Sequence, residues 1–282
     1  MASDAARAGA KMCRAAVAGK PVGHSLSPVI HNSGYAAAGL RDWRYIAIEC
    51  ADTELPDLVA SLGPEWVGLS LTMPLKEVGI AVADTVSPLA GALGAANTLV
   101  RRDGRWHADN TDAPGMVDAL RAAGVSSVDG IAVLGAGGTA RAALAAAADF
   151  GAAVTVYARR PAAVDALRPV ADRLGIVLHA GSWADAAGAA AADVVISTVP
   201  KGVADELASV RWRPDGVVFD AIYDPWPTPL AAAAQAAGAA IVSGLDLLLA
   251  QAVHQFVVFT GVAAPVEQMR AALMAAAAAR QG

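Results

Sequence analysis

An α/β fold of two lobes is what this 282-residue sequence predicts, and three observations carry that reading. Short apolar runs alternate with helical segments over nearly the whole length, the rhythm of strand–helix units around mostly parallel sheets. That rhythm is interrupted by an Asp103-Gly104 turn between two strand-like runs, then restarts at Ile131 with a strand leading into a glycine loop. After Gly244 come two long helical stretches with no strand between them. Residues 1–112, rejoined by 246–282, are therefore expected to form one lobe, and residues 113–245 the other. The C-terminal helices are expected to pack back on the first lobe.

Taken in order, strands are expected near Ala15–Ala18, Tyr45–Glu49 and Trp66–Leu71, with helices beginning at Pro28 and Thr53 between them. A hairpin joins Asn97–Arg102 to Trp106–Asp109, and Asp112–Gly124 reads as a helix bridging the lobes. Beyond Ile131 the strands fall near Val154–Tyr157, Val194–Ser197 and Val217–Asp220. The alanine tracts Ala231–Ala240 and Ala271–Ala279 read as packed helices, alanine being the best helix former. The closing helices are Leu245–Thr260 and Pro265–Ala279.

Composition narrows the function. A hydrophobic content of 56% with 17% charged residues supplies a substantial core and argues against disorder. The net charge of −5 gives no electrostatic footprint for nucleic acid or an anionic membrane. Cys13 and Cys50 form no metal-spaced pattern and read as free thiols of a reducing cytoplasm; no metal is expected. The N-terminal dozen residues, with Asp4, Arg7 and Lys11, do not make a secretory signal, and no apolar run reaches the ~18–20 residues of a membrane helix. A cytoplasmic protein with a small-molecule ligand is the expectation.

The clearest ligand signal is Leu134-Gly135-Ala136-Gly137-Gly138-Thr139, which runs from a strand directly into a helix. Gly135 permits the tight turn, Gly137 lets the backbone approach a pyrophosphate, and the helix start offers N–H donors. An enzyme using NAD usually ends the next strand with a carboxylate for the ribose 2′-hydroxyl. Here Val154–Tyr157 is followed by Ala158-Arg159-Arg160-Pro161, so two guanidiniums stand where a 2′-phosphate would lie. NADP is inferred, against the alternative of ordinary surface arginines.

Four polar segments remain. Lys76, one of four lysines against seventeen arginines, closes the run Leu71-Thr72-Met73-Pro74-Leu75-Lys76 at the carboxyl end of a strand. Burial can bring a lysine toward proton exchange near neutrality, an option arginine lacks. Alone, the segment suits a solvated lysine on the first turn of the next helix better than a catalyst, since lysine is ordinarily exposed. In His24-Ser25-Leu26-Ser27-Pro28, Ser27 reads as the helix N-cap, leaving Ser25 for an anionic ligand, unless both serines only cap. Asn97 opens a strand with both a donor and an acceptor. Asp109-Asn110-Thr111-Asp112 places two carboxylates at the junction of the lobes, for catalysis or for capping the next helix.

Together with Asp220-Ala221-Ile222-Tyr223 and Gly244 through Gln251, these segments resemble the shikimate dehydrogenase family over nearly the whole chain. The resemblance implies a substrate domain and a Rossmann-like NADP-binding domain, and the NADPH-dependent, reversible reduction of 3-dehydroshikimate to shikimate in aromatic amino-acid biosynthesis. It implies that Ser25, Ser27 and Tyr223 bind the substrate carboxylate and that Thr72, Asn97 and Gln251 hold its hydroxyls. Lys76 and Asp112 would be the catalytic pair. Gly135, Ala136, Gly137, Gly138, Thr139, Arg159, Ala221 and Gly244 would line the cofactor site, with Arg160 beside Arg159. Ser70 stands where many members carry Asn, Ala158-Arg159-Arg160 replaces Asn-Arg-Thr, and Ser197-Thr198-Val199-Pro200 departs from a more polar loop. The rival expectations are an NAD-dependent relative acting on quinate or an amino-shikimate, and a non-catalytic NADP-binding homologue. A monomer or homodimer is expected.

Overall fold

The computed structural model describes residues 12–281, and the reading built on Asp4, Arg7 and Lys11 lies outside them. The chain divides into two compact units: residues up to Ser87 with Ala96–Asp109 and Ala252–Arg280, and Pro88–Ala95 with Asn110–Gln251. Among the described residues, no helix is long and apolar enough to cross a membrane.

The first unit is built on a mixed sheet of β1 (Cys13–Gly19), β2 (Trp43–Glu49), β3 (Trp66–Leu71), β4 (Thr85–Val86), β5 (Thr98–Arg102) and β6 (Arg105–Asp109), in the order β2-β1-β3-β5-β6-β4. β1 lies parallel to both β2 and β3, whereas β5 is antiparallel to β3 and to β6. The β5–β6 hairpin turns at Asp103 and Gly104, whose φ of 52° and 79° suit the tight two-residue turn that Asp-Gly signals. Helix Ser27–Ala37 follows β1 and helix Leu55–Ser61 follows β2, the latter after a short turn at Asp52–Glu54 that the sequence merged with it.

The C-terminal chain from Ala252 settles on this unit through small residues. A side chain at Gly68 would overlap the Phe259 ring, and one at Gly34 would meet Phe256 Cε2 at 2.8 Å and Met269 Cγ at 3.1 Å. Phe256, Ile30, Tyr35 and Tyr45 are all fully buried there.

The second unit carries six parallel strands: β7 (Gly130–Leu134), β8 (Ala153–Ala158), β9 (Leu178–Ser182), β10 (Val194–Ser197), β11 (Val217–Asp220) and β12 (Ala240–Ser243). Their order, β12-β11-β10-β7-β8-β9, starts in the middle, runs out to β9 and returns beside the first strand. This is the strand order of dinucleotide-binding Rossmann domains, with its reversal between β7 and β10. The two outermost strands are absent from the sequence reading. β12 falls at the end of the first alanine tract, which is helix only over Pro229–Ala236. Gly238, at φ 100°, turns the chain from that helix toward the strand.

Candidate active site

In the first unit, parallel pairing brings the carboxyl ends of β1, β2 and β3 to one edge of the sheet, the edge where α/β proteins bind ligands. Antiparallel β5 begins at the same edge, with Thr98 opposite Ser70. Topology alone therefore gathers the Ser25–Ser27 loop, the Thr72–Lys76 turn and Asn97.

Backbone hydrogen bonds then fix their spacing. Thr72 N–H donates to Ala18 O at 2.9 Å and Lys20 N–H to Met73 O at 3.0 Å, so the loops after β1 and β3 lie against each other. Gly19 is required at that contact, because a Cβ would overlap Thr72 Cγ2 and come within 2.9 Å of Met73 O. Glu49, at the end of β2, accepts the N–H of Val22 at 2.9 Å and of Gly23 at 3.3 Å. Leu71 N–H donates to Asn97 O, and Ala96 N–H to Lys76 O, both at 2.7 Å. Lys76 sits half-buried in a turn before helix Val78–Ala81, and is not part of that helix.

The helix start is served by Ser25 and not, as its spacing suggested, by Ser27. Ser25 Oγ accepts the N–H of Ser27 at 3.2 Å and so serves the helix start, while Ser27, 5% exposed, lies within the helix. Pro28 has no N–H to satisfy, and the N–H of Ser27 just before it is taken by the Ser25 hydroxyl two residues earlier in the chain.

Asn97, 2% exposed, belongs to a buried chain of hydrogen-bonded side chains. Tyr45 Oη donates to Ser70 Oγ at 2.5 Å, and Ser70 Oγ to Gln255 Oε1 at 2.7 Å. Gln255 Nε2 donates to Thr98 Oγ1 at 2.9 Å, and Thr98 Oγ1 to Asn97 Oδ1 at 2.8 Å. Ser70, the departure from the family's usual Asn, thus turns its hydroxyl inward to Gln255. The surroundings are buried. His31 stacks on Tyr45 with ring centroids 4.2 Å apart, and burial pushes the imidazole down to about 3 against the opposing effect of the neighbouring Gln255 side chain. Burial likewise raises the Tyr45 phenol well above its usual range. Gln255 was not a sequence-level candidate. The available signal was a second amide four residues after Gln251 in a largely apolar helix, which puts both on one face.

In the second unit, helix Gly138–Phe150 follows β7 through the glycine loop, and Gly135 takes a φ of 98°. A Cβ on Gly135 would also meet Thr198 Oγ1 at 2.8 Å, so glycine is required twice over. Gly137 and Gly138 are exposed, and a Cβ on either would meet nothing within 4 Å. The helix start has no side-chain cap and no acidic residue in its first turn, leaving its N–H groups suited to a pyrophosphate. Gly137→Ala should consequently fold with an unchanged thermal midpoint yet raise the KM for NADPH by ~10-fold or more, since its methyl would occupy the phosphate's approach. Steady-state kinetics and a melting curve would check both halves. Arg159 and Arg160 are exposed beyond β8.

Ala221, Tyr223 and Gly244 come together beyond β11 and β12. A Cβ on Gly244 would overlap Ala221 O and stand 3.1 Å from Tyr223 Cδ1. Asp220, buried at the end of β11, accepts from Ile222 N at 3.2 Å and from Thr228 Oγ1 at 2.7 Å. Burial raises its pKa, and these hydrogen bonds oppose the shift. Asp220 thereby shapes the loop holding Ala221 and Tyr223, a role the sequence did not disclose. Asp112, 8% exposed, opens helix Asp112–Ala122. At the start of this helix Asn110 Oδ1 accepts Ala113 N–H at 3.2 Å, and Asp109 accepts Ser87 Oγ at 2.7 Å. Gly115, one turn on, packs on the backbone of Gln251, where a Cβ would lie 2.8 Å from its nitrogen. The Gln251 amide donates to Leu248 O at 2.7 Å.

A Rossmann-ordered sheet with an uncapped glycine-loop helix defines the second unit as a dinucleotide-binding α/β fold. Residues 17–99 match the shikimate dehydrogenase substrate binding domain, and residues 244–274 the shikimate 5′-dehydrogenase C-terminal domain. The chain is 37% identical to a shikimate dehydrogenase (NADP(+)) of Oleidesulfovibrio alaskensis, covering 90% of this chain and 92% of that one. It is similar to the crystal structure of Mycobacterium tuberculosis shikimate dehydrogenase (45% identity, 93% and 99% of the two chains, TM-score 0.86). It is also similar to the Thermus thermophilus enzyme in complex with NADP(H) and shikimate (32% identity, 94% and 100%, TM-score 0.82). The chain belongs to the shikimate dehydrogenase family.

Proposed function

We propose that this protein is a shikimate dehydrogenase that reversibly reduces 3-dehydroshikimate to shikimate with NADPH. The supporting observation is likeness over nine-tenths of the chain to NADP-dependent shikimate dehydrogenases, one of them solved with both ligands. The first unit with the C-terminal helices is assigned to the substrate and the second to the dinucleotide.

Reduction of a ketone builds negative charge on its oxygen, so a cationic proton donor beside that oxygen lowers the barrier. Lys76 Nζ is assigned that proton. Asp112 orients the ammonium. NADPH, when bound, supplies the hydride. Ser25, Ser27 and Tyr223 hold the substrate carboxylate, and Thr72, Asn97 and Gln251 its hydroxyls. The glycine loop from Gly135 to Thr139, with Ala221 and Gly244, receives the cofactor. Arg159 and Arg160 pair with the 2′-phosphate, and no carboxylate stands beside them to favour NAD.

Steady-state assays of shikimate and quinate with NADP and NAD test the reading. Shikimate with NADP is expected to give the highest kcat/KM; a preference for quinate with NAD, or NADPH binding without turnover, would overturn it. The enzyme is assigned to the cytoplasm, where Cys13 and Cys50 remain reduced, as a monomer or homodimer.

A further inference from the structure

The buried chain that includes Asn97 has a direction, set by one backbone atom. The carbonyl oxygen of Asn97 can only accept, and the side-chain amide of Gln255 lies 3.1 Å from it, so the Gln255 nitrogen must face that way. The opposite end of the amide, Oε1, is then an acceptor and takes the proton of Ser70. Ser70 in turn accepts from Tyr45, whose phenol is the first donor of the series. On the other side, Gln255 Nε2 also donates to Thr98 Oγ1. Having accepted there, the Thr98 hydroxyl directs its own proton to Asn97 at 2.8 Å. The atom of Asn97 that receives it must be Oδ1. The orientation of the Asn97 amide is thus set by a relay that starts from its own main chain.

We infer that Gln255 and Thr98 are positioning residues that lock the Asn97 amide with its carbonyl toward Thr98 and its Nδ2 donor directed away from it, for a substrate hydroxyl. The inference rests on the proposed role of Asn97 as a substrate ligand. It explains why a largely apolar helix carries a glutamine only 1% exposed, since burying an amide is costly unless each end is satisfied. It also explains how Ser70 substitutes for a longer amide: the hydroxyl reaches Gln255 instead of the ligand.

The test is a set of single and double variants of the full-length enzyme. Thr98→Val keeps the shape and removes the relay hydroxyl; Gln255→Met keeps the length and removes both ends of the amide. Each is expected to lower kcat/KM for 3-dehydroshikimate by ~10–100-fold, mostly through KM, the size of one misdirected hydrogen bond. The KM for NADPH should stay unchanged, and Thr98→Ser should restore activity. In an Asn97→Ala background, neither substitution should cost anything further, because both act through the missing amide. Additive losses in the double variants, or single variants as active as the wild type, would overturn the inference. An Asn97→Ala enzyme with unchanged kcat/KM would also overturn it while leaving the proposed reaction standing. A wild-type protein that does not turn over 3-dehydroshikimate would remove that reaction and the inference with it. Circular dichroism and thermal midpoints separate these outcomes from misfolding, and Thr98→Ser tests the relay should Thr98→Val fail to fold: a folded Thr98→Ser with impaired substrate KM counts against it.

Discussion

Lys76→Ala is expected to lower turnover by ~10²–10⁴-fold, the range for a lost acid–base group, while folding and NADPH binding stay close to wild type. The expectation of an intact fold follows from how this residue is held. The bond that ties it to the sheet edge runs from Ala96 N–H to the Lys76 carbonyl, and truncating the side chain leaves that bond in place. Leu75 and Gly79, on either side, are anchored by their own backbone bonds to Thr72 and Leu75. A half-buried lysine in a well-fixed turn is therefore removable without disturbing the turn. Lys76→Arg sharpens the test, because a guanidinium keeps the charge but not a proton it can give up near neutral pH. It is expected to remain ~10²-fold impaired. Full activity in Lys76→Arg would reduce the residue to an electrostatic anchor, and full activity in Lys76→Ala would remove it from the mechanism.

The fold was legible where its physics is local. Trp66–Leu71, Val194–Ser197 and Val217–Asp220 are interior strands, buried over nearly their whole length, and their apolar runs have the observed boundaries. The outer strands were not legible. Leu178–Ser182 is largely exposed and nearly lacks apolar residues, so its strand state comes from pairing with β8 and not from its own pattern. Ala240–Ser243 was concealed within an alanine tract, where propensity argues for helix and tertiary pairing with β11 prevails.

The site shows the same division. Asn97, Lys76 and the glycine loop could be read because each is a polar or flexible residue in an apolar setting. Gln255 and Asp220 are polar and more deeply buried than Lys76 or the glycine loop, but their significance depends on partners 157 residues away in one case and on a folded loop in the other. The helix start after β1 was read in the right place, but the hydroxyl that serves it is that of Ser25 and not Ser27. Spacing can mark a helix start, yet which hydroxyl serves it depends on loop geometry that spacing does not contain.

Gly244→Ala is expected to be the most disruptive small substitution in the second unit, and the cause is space rather than backbone conformation. A Cβ there would overlap the carbonyl oxygen of Ala221 and stand 2.8 Å from its carbonyl carbon, atoms that cannot rotate aside as a side chain can. Neither partner has slack. Ala221 N–H is bonded to Ser197 O at 3.0 Å, and Ile222 N–H to the buried Asp220 carboxylate at 3.2 Å. On the glycine's own side, Ser243 pairs with Asp220 in the sheet and both donates its N–H and its hydroxyl to Asp246, at 2.9 and 2.7 Å. The added methyl must therefore displace the Ala221–Tyr223 loop, at an overpacking cost of ~1–3 kcal/mol. That loop is assigned to the cofactor through Ala221 and to the substrate carboxylate through Tyr223, so KM should rise for both ligands at once. Gly137→Ala, with open space around its methyl, should raise only that for NADPH and leave stability untouched. Denaturant unfolding and paired KM measurements on the two variants decide the matter: if Gly244→Ala unfolds at the wild-type midpoint with unchanged KM values, the contact with Ala221 does not constrain the site.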